Sequence, residues 1–157
     1  MSSAMRAAPR LLLIIAVLSL AGVALSSVSL AHHYGTSQSS FCDLSETLNC
    51  DIVNRSEYST LLGIPVALIG ILGYSALFVL ATRYRRRART PELLFGGALA
   101  GLGFALYLTY IEGFVLSTWC ILCVSSLGAI SSIALLSFVL VRISGKTSAR
   151  ANQAGSW

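Results

Sequence analysis

Four cysteines carry most of the reactive chemistry available to this 157-residue chain, and they fall into two pairs: Cys42 and Cys50, spaced C-x7-C, and Cys120 and Cys123, spaced C-x-x-C. Residues three apart on a helix share a face, with Cα atoms about 5 Å apart, which a disulfide can span. Cys120 and Cys123 can therefore open and close as a pair without unfolding a helix. A bridge of that kind, on a segment already helical, removes little chain entropy and adds little stability. Redox use explains this pair better than stapling, although a loop pair standing alone would read as a staple. A metal site built from the four cysteines with His32 and His33 nearby is the weaker alternative, because C-x7-C is not a usual zinc spacing. No metal is expected.

The elements that must hold these sulfurs follow from composition. The chain is 55% hydrophobic and 11% charged, with a mean hydropathy of +0.78, too little polar surface to coat a water-soluble globule. The fold class expected is all-α and integral to a membrane: a single domain over 1–157, a bundle of four transmembrane helices at about 11–31, 61–82, 93–116 and 117–141. Between them lie an outer loop at 32–60, a cytoplasmic loop at 83–92 and a cytoplasmic tail at 142–157. Gly63 and Pro65 mark a bend at the second span, and Gly97 with Gly101 a close helix approach in the third.

Charge sets the orientation. Of eleven basic residues, ten lie before the first span (Arg6, Arg10), between the second and third (Arg83, Arg85, Arg86, Arg87, Arg89) or after the fourth (Arg142, Lys146, Arg150). By the positive-inside rule both termini and the arginine-rich loop are cytoplasmic. The net charge of +5 is thereby a matter of topology, and no nucleic-acid partner is expected. The run ending in Ser29-Leu30-Ala31 also has the look of a secretory signal with a small-residue cleavage site. It is longer than the usual apolar core of such a signal, so a retained helix is preferred.

This topology puts all four cysteines on the extracytoplasmic side or just inside it, where disulfides persist. The fourth helix should stabilise negative charge in its first turn, which predicts a lowered thiol pKa and more thiolate at Cys120. Cys123, one turn deeper, would face the acyl chains, where an apolar electron acceptor reaches and a protein does not. In the loop, Phe41, Leu44 and Leu48 have the spacing of a short amphipathic turn lying on the membrane surface.

Over 41–124 the chain resembles bacterial members of the vitamin K epoxide reductase family. The resemblance rests on Cys42-Asp43-Leu44-Ser45, Asn49-Cys50-Asp51, Ser56, Tyr58-Ser59, Gly63-Ile64-Pro65, Gly70, Gly73-Tyr74, Tyr107-Leu108 with Tyr110 and Glu112, and Trp119-Cys120 with Cys123-Val124. It implies a four-helix bundle around a quinone, ubiquinone or menaquinone, as electron acceptor. It also implies a relay in the bacterial inner membrane, with Cys42, Cys50, Cys120 and Cys123 as the catalytic residues. A separate DsbA-like or thioredoxin-like thiol protein would attack the loop disulfide at Cys42, Cys50 would exchange with Cys120, and Cys123 would be released beside the quinone. Leu127 stands where the animal enzymes resemble one another in having a Tyr, which favours disulfide generation over epoxide reduction.

The candidate quinone contacts are Ser56, Tyr107, Tyr110, Glu112 and Trp119. The aromatic ones, with Phe114, are equally well explained as bundle packing or an interfacial belt. Glu112 is a carboxylate within a span, a functional hypothesis by default, yet it lies close enough to the outer end to hold helix ends together instead. Two other classes compete with the oxidoreductase. A small four-helix proton-coupled exporter would use Glu112 as its carboxylate, and a non-catalytic assembly subunit would be indifferent to loss of Cys120.

Overall fold

In lipid a backbone has nothing to bond but itself, so long apolar runs become helices. The computed structural model of the chain describes residues 3–35, 43–45, 48–54 and 56–154. Four long helices make the bundle: α1 (Ser3–Tyr34), α3 (Val66–Thr82), α4 (Thr90–Ile111) and α5 (Ile121–Ala154). A five-residue helix, α2 (Cys50–Asn54), lies between the first two. The helices form a ring in which α1 packs on α3 and α5, and α4 packs on α5 and α3. Ile15, Leu94, Ala98 and Ile133 are fully buried at its centre. Leu13, Leu20, Leu72 and Leu135 are more than half exposed on the outside, an apolar outer surface suited to acyl chains rather than water.

Three segments are long and apolar enough to cross a membrane: Ala7–Tyr34, Thr90–Leu116 and Ile121–Lys146. The fourth apolar helix, Val66–Thr82, has 17 residues, about 26 Å of rise and the short end of what spans. The chain is an all-α membrane protein. The sequence places the start of this helix near 61, five residues too early. Thr60–Leu61 pairs instead with Ile64–Pro65 as a small hairpin, β3 and β4, turning through Leu62 at φ 53° and Gly63 at φ 81°. Left-handed backbone at two successive residues ends any helical run, and glycine tolerates it with no steric cost. The bend expected at Gly63 and Pro65 is thus a turn ahead of the helix.

A second correction concerns the junction before α5. Residues Glu112–Leu116 continue α4 as one π-helical turn, and Ser117, at φ 50°, stops it in the left-handed region. The fourth helix therefore begins at Ile121, not 117, and Cys120 stands just before it. Between α1 and α2, Asp43–Ser45 (β1) and Leu48–Asn49 (β2) are paired antiparallel, where an amphipathic helical turn is the sequence expectation. So short a helix leaves nearly every backbone group unbonded, whereas extended pairing satisfies several at once.

Glycines set how close the helices come. A Cβ at Gly22 of α1 would lie 2.4 Å from the Tyr74 ring. Tyr74 is thereby seated against α1, while its hydroxyl reaches α5, donating to Ser126 O at 2.9 Å. Gly97 faces Leu77 of α3 and Gly101 faces Ile130 of α5, each leaving just over 3 Å for an added Cβ. The close approach read from these two glycines is present, divided between two neighbouring helices.

Candidate active site

The helix start at Ile121 gives Cys120 the position of an N-cap. Its carbonyl accepts the N–H of Val124 at 3.0 Å, opening the helical ladder. Its sulfur accepts the backbone N–H of Cys123, as N-cap side chains accept from the third helical residue. The Cys120 and Cys123 side chains are hydrogen-bonded to each other. Cys120 lies in the connection between two spans, and its thiol is brought down to about 7. The largest cause is the Cys123 side chain, with burial opposing it; the helix N–H, which the sequence reading makes the main cause, is a smaller contribution in the same direction.

Cys50, far away in sequence, joins this pair. It opens α2, is 1% exposed, and forms one buried cluster with Val53 and the fully buried Cys120, against which Leu122 and Cys123 pack. The Cys50 side chain hydrogen-bonds to the Cys120 sulfur. Three sulfurs therefore meet at one point. Cys42 lies outside the described residues.

Glu112 holds this point in shape. It is 2% exposed; its main-chain carbonyl accepts the N–H of Ser117 and, at 3.1 Å, that of Thr118. Its side-chain Oε2 accepts the N–H of Cys120 at 3.2 Å, and the Cys123 side chain lies beside the same carboxyl. One residue on the π-turn thus ties the end of α4 to the start of α5. Inserting an extra residue into a helix in this way re-aims side chains and is frequent at working sites.

Below the sulfurs a cavity of about 440 Å³ runs between the four long helices, lined mainly by apolar side chains such as Leu25, Leu77 and Phe104. Among the described cysteines only Cys123 lines it, and Cys50 and Cys120 are sealed off behind. Cys123 accordingly faces the inside of the bundle rather than the surrounding acyl chains. Of the candidate quinone contacts, Ser56 and Glu112 line the cavity. Tyr107, Tyr110 and Trp119 do not: they are 54%, 59% and 43% exposed. Tyr110 stacks on Phe114 at 4.9 Å, and Trp119 packs over Gly113.

Residues 13–140 match the Vitamin K epoxide reductase family. The chain belongs to that family. As a member of the vitamin K epoxide reductase family it is a membrane thiol–disulfide oxidoreductase, and the clustered sulfurs are where such chemistry has its groups in place. The family match spans α1 through most of α5, so cavity and cysteine cluster both fall within it.

The sequence does not single out a further polar group at the end of α2. Ser29 Oγ donates to Asn54 Oδ1 at 2.6 Å, and His33 Nδ1 donates to the Asn54 carbonyl at 2.5 Å. The same His33 nitrogen lies 3.4 Å from Ser59 Oγ. His33, which the expected boundaries put in the loop at 32–60, is instead on the last turn of α1 and anchors the end of α2. Its signal was present only as a histidine close to an apolar run, which says nothing about a partner that arrives from twenty residues away.

Proposed function

We propose that this chain generates disulfides outside the cytoplasm, taking electrons from a soluble DsbA-like or thioredoxin-like dithiol protein and delivering them to a membrane quinone. The observation that carries the reading is the convergence of Cys50, Cys120 and Cys123, with Cys123 alone of the three opening on the apolar cavity. In this reading the membrane is a bacterial inner membrane with the termini and the 83–92 loop in the cytoplasm and the sulfurs on the far side, a sidedness that the ten basic residues beside the apolar helices support.

The exchange balances as follows. A thiolate of the partner attacks Cys42 of a Cys42–Cys50 disulfide, forming a mixed disulfide and releasing Cys50 as thiolate. Cys50 attacks Cys120 of the oxidised C-x-x-C pair, so a Cys50–Cys120 bond forms, the Cys120–Cys123 bond breaks and Cys123 leaves as thiolate. The partner's second thiol then displaces Cys42 and departs oxidised; Cys42 attacks Cys50, restoring their disulfide and releasing Cys120. Two electrons and two protons have moved from the partner to Cys120 and Cys123. The low pKa of Cys120 makes it a good leaving group in that last step.

The cavity suits a quinone. It is apolar over most of its wall and has the size of ordinary small-molecule sites. Two of its lining residues, Asn54 and Glu112, each carry a buried polar atom, Nδ2 and Oε1, that has no hydrogen-bond partner among the described residues. A bound quinone supplies an acceptor for two electrons and two protons, after which Cys120 and Cys123 are again a disulfide. Glu112, beside Cys123 and bonded to Cys120, is placed to take up or pass on a proton at Oε1.

In a Cys123→Ser variant kept free of reduced partner, the Cys120 thiolate attacks Cys50 of the Cys42–Cys50 disulfide and releases Cys42, so a Cys50–Cys120 disulfide accumulates with no net redox change, read by non-reducing proteolysis and mass mapping. Wild-type protein consumes ubiquinone or menaquinone in step with partner oxidation. Quinone consumption that persists in Cys120→Ser would sink the relay.

A further inference from the structure

Asn54 is 4% exposed, lines the cavity, and carries a buried amide nitrogen with no partner among the described residues. A buried donor left unbonded is costly, so this side chain is destabilising where it stands unless something in the cavity accepts from it. The hydrogen bond from Ser29 sets which way the amide points: Ser29 Oγ donates to Oδ1 at 2.6 Å, a separation that fits an O–H···O bond better than N–H···O. The His33 ring fixes the main chain of the same residue from behind. Neighbouring cavity serines have already used their donor hydrogens, which leaves them none for a ligand carbonyl: Ser56 Oγ donates to Val53 O at 2.8 Å and Ser59 Oγ to Ser56 O at 2.7 Å. The Tyr74 hydroxyl is tied to Ser126.

We propose that Asn54, oriented by Ser29, is the hydrogen-bond donor that recognises a carbonyl oxygen of the electron acceptor and sets its ring at the sulfur end of the cavity. This rests on the quinone reading above and adds the specificity-determining contact to it. Asn54 ends the helix that Cys50 begins, so one five-residue element carries both a relay sulfur and the acceptor's polar anchor. A site built around a donor discriminates strongly against ligands that lack the matching acceptor, because the donor is then buried unbonded. Accordingly the cavity takes a carbonyl-bearing ring in preference to a purely hydrocarbon lipid tail of the same volume. Ser29 is a positioning residue, acting through the Asn54 amide.

The test uses full-length protein in detergent with a short-chain ubiquinone as probe. Binding is measured by titration calorimetry, and the probe's carbonyl stretching band by infrared difference spectroscopy. In wild type the band lies lower than for free probe, the mark of a hydrogen-bonded carbonyl. Asn54→Leu, which keeps the branched shape and puts methyl groups in place of the amide atoms, weakens binding about tenfold, as loss of one such bond predicts, and returns the band towards its free position. Its thermal stability without probe changes little, since the unbonded amide donor is removed while the Ser29 hydroxyl, losing its acceptor, turns to a carbonyl of its own helix. Ser29→Ala, which leaves the amide in place but free to rotate, weakens binding about threefold and broadens the band. Unchanged affinity and an unchanged band in both variants would overturn the assignment of Asn54 while leaving the quinone reading intact. Failure of wild type to bind the probe, with the Cys50–Cys120 trap still forming, would overturn the quinone reading itself.

Discussion

Cys120 is the residue on which several influences meet: the Cys123 thiol, a helix N–H and the Cys50 side chain lower its pKa, while burial and the Glu112 carboxylate raise it. The net value of about 7, against about 8.5 for an ordinary thiol, fixes the sign of a pH effect. Below pH 7 the sulfur is protonated, and the thiolate population falls about tenfold for each further pH unit. Thiolate ultraviolet absorbance of the reduced protein, taken as the difference from Cys120→Ser, should therefore titrate near pH 7. A midpoint near that of an ordinary thiol would show that the hydrogen bonds at this sulfur are absent. Glu112→Gln keeps an acceptor for the Cys120 N–H and removes a neighbouring negative charge, so the midpoint moves to lower pH. A rise would mean that the carboxylate acts chiefly by holding the connection in shape.

Among the elements, the α1–α3 contact depends on the absence of a side chain at position 22. A Cβ there would penetrate the Tyr74 ring at 2.4 Å, and Tyr74 cannot retreat without losing its bonds to Ser126. Gly22→Ala should cost about 1–3 kcal/mol, the usual range for overpacking a fitted core, read as a lowered thermal midpoint in detergent. Gly96→Ala is the control, because nothing lies within 4 Å of its added Cβ, and it should leave the midpoint unchanged or raised. Equal effects of the two would show that helix propensity, not the Tyr74 contact, decides. The same contact bears on the site, since Tyr74 lines the cavity and a displaced ring would change its shape.

For the whole molecule the governing quantity is the distribution of charge along the chain relative to its apolar helices. Five arginines lie in the connection between α3 and α4, while the described sulfurs sit at the opposite ends of those helices. With both on their proposed sides, a cysteine introduced as Arg86→Cys is labelled by a membrane-impermeant maleimide only after the cytoplasmic face is opened. Thr60→Cys, at the β3 hairpin, is labelled in intact spheroplasts. The reverse pattern would invert the topology and remove the extracytoplasmic partner with it.

Much of this was legible along the chain, because some properties are local or periodic. Apolar length specifies a membrane helix, since lipid leaves a backbone no other way to satisfy itself. The i, i+3 spacing of Cys120 and Cys123 brings two thiols together wherever the chain is helical, and basic residues beside apolar runs suggest a sidedness. Other features depended on contacts between segments distant in sequence. The meeting of Cys50 with Cys120, the path of the cavity past Cys123, and the outward position of Tyr107, Tyr110 and Trp119 follow from how the four helices rotate and close. So does the unbonded amide of Asn54, a residue that in sequence is one more polar side chain in a polar loop. No local pattern encodes that rotation: it is settled by which small residues, such as Gly22 and Gly101, let particular helix faces approach, and only the packed bundle reveals what those faces then enclose.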